Sequence, residues 1–548
     1  FANADDFNQD LSAWDVSRVT DMGGLINTRI RVTPLGMFSG ATSFNRDLSA
    51  WNVSNVTDMR AMFYEATSFN GDVSTWDLSR AFTMESMFER ATSFNQDLST
   101  WDVSRVTRMG RMFYETAGFN GDVSAWDVSS VTDMHQMFEE AVSFNQDLST
   151  WDVSGVTDMR RMFEGATSFN GDVSTWDVSS VTDMSRMFQR AAISNQDLND
   201  WNVSRVTNMF AMFANADDFN QDLSAWDVSS VTDMRFMFAG TDRFDQDLSA
   251  WDISNVTQLT GFLRDARLSP ANYDALLIGW SQLDVQPNLD FDGGASAYTL
   301  HGEAAYQSLT DDDGWTITDG GPAQPEAEAT ATASGPGEVA LAGADLTVRL
   351  AAGTSGSGAI RAARYEGAPT GAAAIRADSV SAYRVAIVAD PSLSVGAGTQ
   401  ARFDSGTLSD FPDLASVTTY TRQGIEPFVA LPTSLDDGGT PDDASDDVLV
   451  ATVDGFSEFV FVSGERPPAP VITGAPEAVD FESVTAGESA LQSFTIENTG
   501  DAPLEGDVSL SDDGGVFSLT SGSGAFSLSL SETLEIEVTF APEEAASF

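Results

Sequence analysis

A column of aspartates runs beside a column of tryptophans through the first half of this 548-residue chain. Asp77, Asp102, Asp127, Asp152 and Asp177 each follow a tryptophan, and Thr75, Thr100, Thr150 and Thr175 each precede one. Placed on neighbouring short strands about 4.7–4.9 Å apart, these residues would make a flat acidic strip. Such a strip repels itself unless something compensates it, so it could hold cations, a cationic surface, or sugars through cations. The preferred alternative is structural: each aspartate closes its own turn through an Asx-type hydrogen bond. A second acidic group, "LDDGGTPDDASDD", sets Asp436, Asp437, Asp442, Asp443, Asp446 and Asp447 in a glycine-containing loop. Clustered oxygen ligands suit calcium. The spacing is not the D-x-D-x-D-G of a calcium loop, however, and a solvated acidic turn is the simpler reading. No cofactor is required by any motif, and calcium is the one the composition suggests.

Catalytic chemistry finds little support. The chain has no cysteine and two histidines, His135 in "VTDMHQMF" and His301 in "YTLHGE". Neither has a motif partner, and both are read as surface residues. No nucleophile elbow, zinc-protease helix or phosphate loop appears. Repeated identical acids are also poor catalysts, because glycoside hydrolysis needs two carboxyls in different environments at one place. The chain is therefore read as a non-enzyme, with a glycan-active enzyme as the third-ranked function. All 27 basic residues are arginine, against 83 acidic ones, giving a net charge of −56. That balance excludes nucleic acid as a partner. Salt screens such a charge over about 10 Å at ~0.1 M and about 3 Å at ~1 M, which fits a halophilic source or an acidic secreted protein. No apolar run of about 18 residues is present to cross a membrane.

The elements that would position these columns follow from the period. Trp51 to Trp251 recur every 25 residues, and the 17 residues "FANADDFNQDLSAWDVS" at Phe1 return unchanged at Phe213. Trp14 belongs to the series, displaced by a 12-residue insertion between Met22 and Met37. A fixed period of this size marks a repeat array. In the repeat "FNRDLSAWNVSNVTDMRAMFYEATS" the spacing L-x-x-W-x-V suggests a short strand. Val56, Met59, Met62, Phe63 and Ala66 then follow helical spacing, with Thr57 as N-cap. One repeat cannot bury enough apolar surface to stand alone, so neighbours must stack. The expected fold class is an α/β repeat solenoid with a parallel sheet and short helices, followed by all-β sandwich domains. The methionine columns are read as core packing. The asparagine column from Asn8 to Asn220 is read as a backbone-satisfying ladder. Ser194 breaks a phenylalanine column, with Ile193 expected to supply the lost volume.

The motif MF-x-x-A-x-x-FN-x-D-L-S-x-W-D-V-S-x-V-T-D-M resembles the repeat of the BspA-like leucine-rich-repeat surface proteins of bacteria. "LSPANYDALLIGWSQLDVQPNLDFDGG" and "GWTITDGG" resemble the segment that caps such arrays. "FTIENTGDAPL" and "VTFAP" are similar to the choice-of-anchor D type of immunoglobulin-like module. Residues 1–266 are then the solenoid of ten repeats, 267–321 its cap, 322–337 a linker, 338–464 a β-sandwich and 465–548 the immunoglobulin-like module, incomplete at its end. A chain that starts inside a repeat is expected to be a fragment, with signal and anchor outside it. The resemblance implies that the solenoid is leucine-rich-repeat-like, and that the chain is an extracellular or cell-surface binding and adhesion protein, its solenoid head on a β-sandwich stalk. The partner would be a protein or glycan on another surface. The alternative is a structural surface-layer or matrix component with no specific ligand.

Overall fold

Equivalent residues of successive repeats are hydrogen-bonded to one another through the first half of the chain, in a computed structural model. It describes residues 1–344 except 29, 30 and 35, and then 346–366, 377–381, 383–404, 408, 411, 416–422, 429–436, 448–453, 456, 458–465, 472–473, 489–498, 504–508, 517–521, 524–528 and 533–540. The chain divides into two compact units, Phe1–Ile375 with Val380–Phe461, and Arg376–Ser379 with Val462–Phe548.

The expected α/β solenoid, with its parallel sheet and short helices, is not what the repeats build. Residues 37–269 contain neither helix nor extended strand; repeats meet through single parallel bridges, Asp58 to Thr83 to Arg108 to Asp133 to Asp158 and onward. The reason lies in two left-handed residues per repeat. Ala61 and Glu65 have φ of 53° and 56°, and their equivalents recur in every later repeat, for example Arg111 and Glu115, Arg161 and Gly165, Arg186 and Arg190. An α-helix spends its N–H donors on itself. Here the donors divide. Met59, Ala61, Phe63 and Glu65 donate to Thr83, Glu85, Met87 and Glu89 of the next repeat at 2.8–3.1 Å, while Met62, Tyr64 and Ala66 donate three residues back at 3.0–3.2 Å. Tight turns of four residues thus put Met59, Met62, Phe63 and Ala66 on the inner side, mimicking helical spacing. Thr57 is no N-cap: its amide and hydroxyl both donate to the Thr20 carbonyl, at 2.8 and 3.1 Å. The tryptophan segment is likewise two turns, closed by Trp51 N–H to Leu48 and Val56 N–H to Val53 at 3.0 and 2.8 Å.

Inside, like stacks on like. Phe63, Phe88, Phe113 and Phe138 lie with centroids 5.4–5.7 Å apart and near-parallel rings, and Trp101, Trp126 and Trp151 follow at 6.2 Å. Each indole N–H is spent on a carbonyl one repeat back, as in Trp126 to Leu98 at 2.9 Å, so the ring is buried without an orphan donor. The asparagine column forms a ladder of side-chain carbonyls accepting backbone N–H, Asn70 to Asn45 at 2.8 Å and Asn95 to Asn70 at 2.9 Å. Ser194 sits buried in the phenylalanine column, but Ile193 turns outward and is 43% exposed, so it does not fill the place. The insertion forms a hairpin, Leu25–Thr28 against Arg31–Pro34, and Met37 N–H to Met22 at 3.0 Å closes the repeat beneath it.

Helix α1 (Pro270–Ser281), opened by the Ser269 cap, covers the last repeat with Tyr273, Leu276, Leu277 and Trp280. Asp274 on it is fully buried and meets Arg384 at 3.2 Å; Arg384 also meets Glu458 at 2.8 Å, which Arg422 holds at 2.8 Å. Burial raises the Asp274 carboxyl. Glu458 is equally buried, but Arg384, His301 and Arg422 together hold it below its usual range. This ionic cluster joins the cap to the strands that follow. Part of the stretch read as a linker is one of them: Ala327–Ala333 pairs with Gly358–Glu366 along its whole length. Two antiparallel sheets enclose a core of Val348, Ile360, Ile387, Phe403, Phe459 and Phe461. One holds Gly358–Glu366, Tyr383–Ala389 and Val417–Arg422; the other holds Leu346–Leu350, Thr399–Asp404 and Val448–Val453. In the second unit Ala490–Asn498 and Thr533–Phe540 pair antiparallel, and Leu504–Val508 pairs with Gly524–Leu528, around Ile496, Leu528 and Ile536.

Candidate functional site: the arginine face of the repeats

The aspartate and threonine columns are exposed and bonded internally. Asp102, Asp127 and Asp152 each accept the N–H of the serine two residues on at 3.1 Å and its hydroxyl at 2.6 Å. Asp77 and Asp177 accept Ser79 and Ser179 N–H at 3.1 and 3.0 Å. The serine hydroxyl and then its amide hold Asp77, Asp152 and Asp177 below the usual carboxylate range. Thr75, Thr100, Thr150 and Thr175 donate their hydroxyls to Ser49, Ser74, Ser124 and Ser149 carbonyls at 2.6–2.8 Å. In the proposed calcium loop, Asp436 ends the strand Thr433–Asp436 and pairs with Arg402 at 2.6 Å. Asp437, Asp442, Asp443, Asp446 and Asp447 lie outside the described residues.

A different face gathers the chemistry. In each repeat the eight residues equivalent to 58–65 carry the side chains that differ most from copy to copy, and ten of the chain's 27 arginines fall there. The left-handed positions aim several of them outward. A concavity of about 510 Å³ is lined by Arg111, Arg160, Arg161, Arg186 and Arg235, together with Gln136, Ser185, Asn208, Phe210 and Asp233. Five guanidiniums line it with one carboxylate, Asp233, while Asp158, Glu139 and Glu164 approach them from outside the lining. Arg235 is paired with Asp233 at 2.6 Å and Arg160 with Asp158 at 3.3 Å. Arg161 stands 3.6 Å from both Glu139 and Glu164. Arg111 bonds Gln136 at 2.9 Å, and Arg186 lies 4.9 Å over the Phe210 ring; among the described residues neither makes an ion pair. These two guanidiniums keep donors for an incoming oxyanion.

Aromatic rings extend the face on both sides. Arg235 also covers Phe210 at 5.2 Å, Arg264 lies over Phe236 at 4.8 Å, and Arg90 lies over Tyr114 at 5.7 Å. Arg90 bridges Glu65 and Glu115 at 3.1 and 2.9 Å, and burial with the neighbouring Glu115 pushes the Tyr114 phenol up to about 12. Beneath the arginines, Glu89, Glu139 and Glu164 are buried, and burial raises all three carboxyls. His135 is no surface residue: it is 9% exposed, with Nδ1 2.5 Å from Asp133. His301 is also partly covered, and its Nε2 is buried without a hydrogen-bond partner among the described residues.

Sequence reasoning missed this face because it searched for what repeats. The signal was available in what does not: Arg, Tyr and Phe substituting at five positions of an otherwise uniform motif. No curated protein and no solved structure matches the chain. Residues 1–101, 92–199 and 170–275 each match one family, described as Mycoplasma protein of unknown function, DUF285. Those matches run without a gap over half of the chain, which therefore belongs to that family.

Proposed function

We propose that this chain is a non-enzymatic binding protein of a cell surface or extracellular setting, and that the arginine face of its repeats holds the partner. The observation that carries this reading is the concentration of copy-to-copy variation, guanidinium groups and rings on one face, where the other polar columns are bonded to themselves. Arg and Tyr are the residues that dominate binding hot spots. Non-glycine residues held at positive φ are costly and tend to persist where function needs them, and Arg111, Arg161 and Arg186 are three such residues. The partner is one that presents carboxylates or sulfates, as an acidic protein or a uronate or sulfated glycan does.

The test is binding of the chain to an array of acidic, neutral and basic glycans and proteins, repeated with Arg111→Ala/Arg186→Ala. Saturable binding to acidic members, weakened about 30-fold or more in the variant as hot-spot loss predicts, supports the reading. Binding that ignores the double substitution, or none to any acidic member, defeats it and leaves a purely structural array.

A further inference from the structure

We infer that Asp133, His135 and Asp158 form a site for a single first-row divalent transition metal, of which zinc and cobalt are the type. One ligand atom from each of the three lies within 4.8 Å of the others. The ladder of bridges creates this proximity, because Asp133 and Asp158 are direct partners in it, one repeat apart.

The site stands out against its own copies. At three of the other five bridge aspartates an arginine two residues on neutralises the carboxylate, as in Asp58 with Arg60 at 2.5 Å and Asp233 with Arg235 at 2.6 Å, whereas Asp21 and Asp183 are followed by Gly23 and Ser185. At Asp133 the equivalent residue is His135, whose Nδ1 sits 2.5 Å from the carboxylate. A permanent cation is thus replaced by a group that can offer a lone pair. The preceding repeat is matched to it. Gly110 occupies the same position there, and a Cβ on Gly110 would come within 2.4 Å of the imidazole Cε1 and 2.6 Å of Nδ1. Only glycine lets the ring lie where it does. Asp158 completes the set from the following repeat; Arg160 approaches it at 3.3 Å, but each carboxylate oxygen keeps a second lone pair. One imidazole nitrogen and two carboxylates make a mixed set that suits zinc or cobalt better than calcium, and the three ligands leave coordination positions for water.

The whole chain is titrated with cobalt(II) chloride at high salt, which suppresses loose binding to its many carboxylates, and the visible d–d absorption is followed. One saturating equivalent, displaced by zinc, is expected. His135→Arg installs the residue that Arg60, Arg160 and Arg235 carry at this position, and Asp158→Asn installs that of Asn208, so both fit a repeat of this type. Each should weaken cobalt binding at least about tenfold, a typical cost of disturbing a metal site, while His301→Gln leaves it unchanged. A chain without the one-equivalent band, or a band that survives in both site variants, overturns the proposal and leaves Asp133 and His135 as a hydrogen-bonded pair. Loss of the band in His301→Gln alone would overturn it equally, by placing the site elsewhere.

Discussion

Two polar faces run along the same repeats and use their charges in opposite ways. On the aspartate face each carboxylate is bonded to a serine of its own turn, and each threonine to a carbonyl one repeat back. On the arginine face the guanidiniums are shared among carboxylates, rings and open solvent, and Arg111 and Arg186 end in no ion pair among the described residues. Repetition is the cause of the first arrangement. A residue type that recurs in every copy is one that the backbone needs in every copy. Variation is the mark of the second, since a side chain that the stack does not require is free to be selected for something else. The left-handed backbone sharpens the contrast, because it costs stability wherever the residue is not glycine, and the arginine face bears that cost repeatedly.

The largest effect that would test this contrast is a trade between binding and stability. Arg186→Gly places glycine at φ 58°, a position that Gly261 fills three repeats on with φ 72°. Relief of the left-handed strain, roughly 1–2 kcal/mol, is offset by the lost stacking on Phe210, about 0.5–1 kcal/mol. The variant should therefore unfold in urea at equal or slightly higher concentration than the parent, while acidic-ligand binding falls. If it were markedly less stable, Arg186 would be structural and the two faces would not differ in kind. The aspartate face should behave the other way. Asp127→Ala removes the acceptor of Ser129 and should cost about 1 kcal/mol by analogy with a lost N-cap, with ligand binding intact. Asp127→Asn should cost almost nothing, because Asn52 and Asn202 already serve the same turn at 3.1 and 3.2 Å. A large loss in the Asn variant would mean the charge itself matters there.

The period, the stacking of neighbouring repeats and the asparagine ladder could be read from the residues. The backbone of the repeat could not. Met59, Met62, Phe63 and Ala66 satisfy the helix period, yet two residues of this segment, four apart, are left-handed in each repeat, and turn residues as varied as Ala61, Arg111 and Phe236 give no glycine signal to announce it. The decisive term was the ladder between repeats, which takes half of the N–H donors and is invisible in any single copy. The metal-compatible cluster was hidden for the same reason. His135 has no partner within a sequence motif, and acquires Asp158 only when residues 25 positions apart are brought side by side.

The smallest expected effect concerns the acids beneath the arginine face, and it turns on the sign of a pH dependence. Burial raises the Glu164 carboxyl, whereas the Ser179 hydroxyl and amide lower Asp177. A raised acid favours the folded state most when protonated, so its contribution is complete below the unfolded value, about 4.3, and is lost as pH rises through the folded value. A lowered acid contributes above its unfolded value and loses that as pH falls through the folded one. The two faces therefore pull stability in opposite directions on acidification. Glu164→Gln copies Gln189 of the next repeat and removes the ionisable group. Near neutral pH it should raise stability by about 0.5 kcal/mol or less, because partial pairing with Arg161 and Arg190 is given up and half-exposed pairs contribute little. The difference from the parent should shrink as pH is lowered toward 4, followed by thermal unfolding at each pH. A difference that grew on acidification would mean that the arginines, and not burial, set the state of Glu164, and that this face too is bonded chiefly to itself.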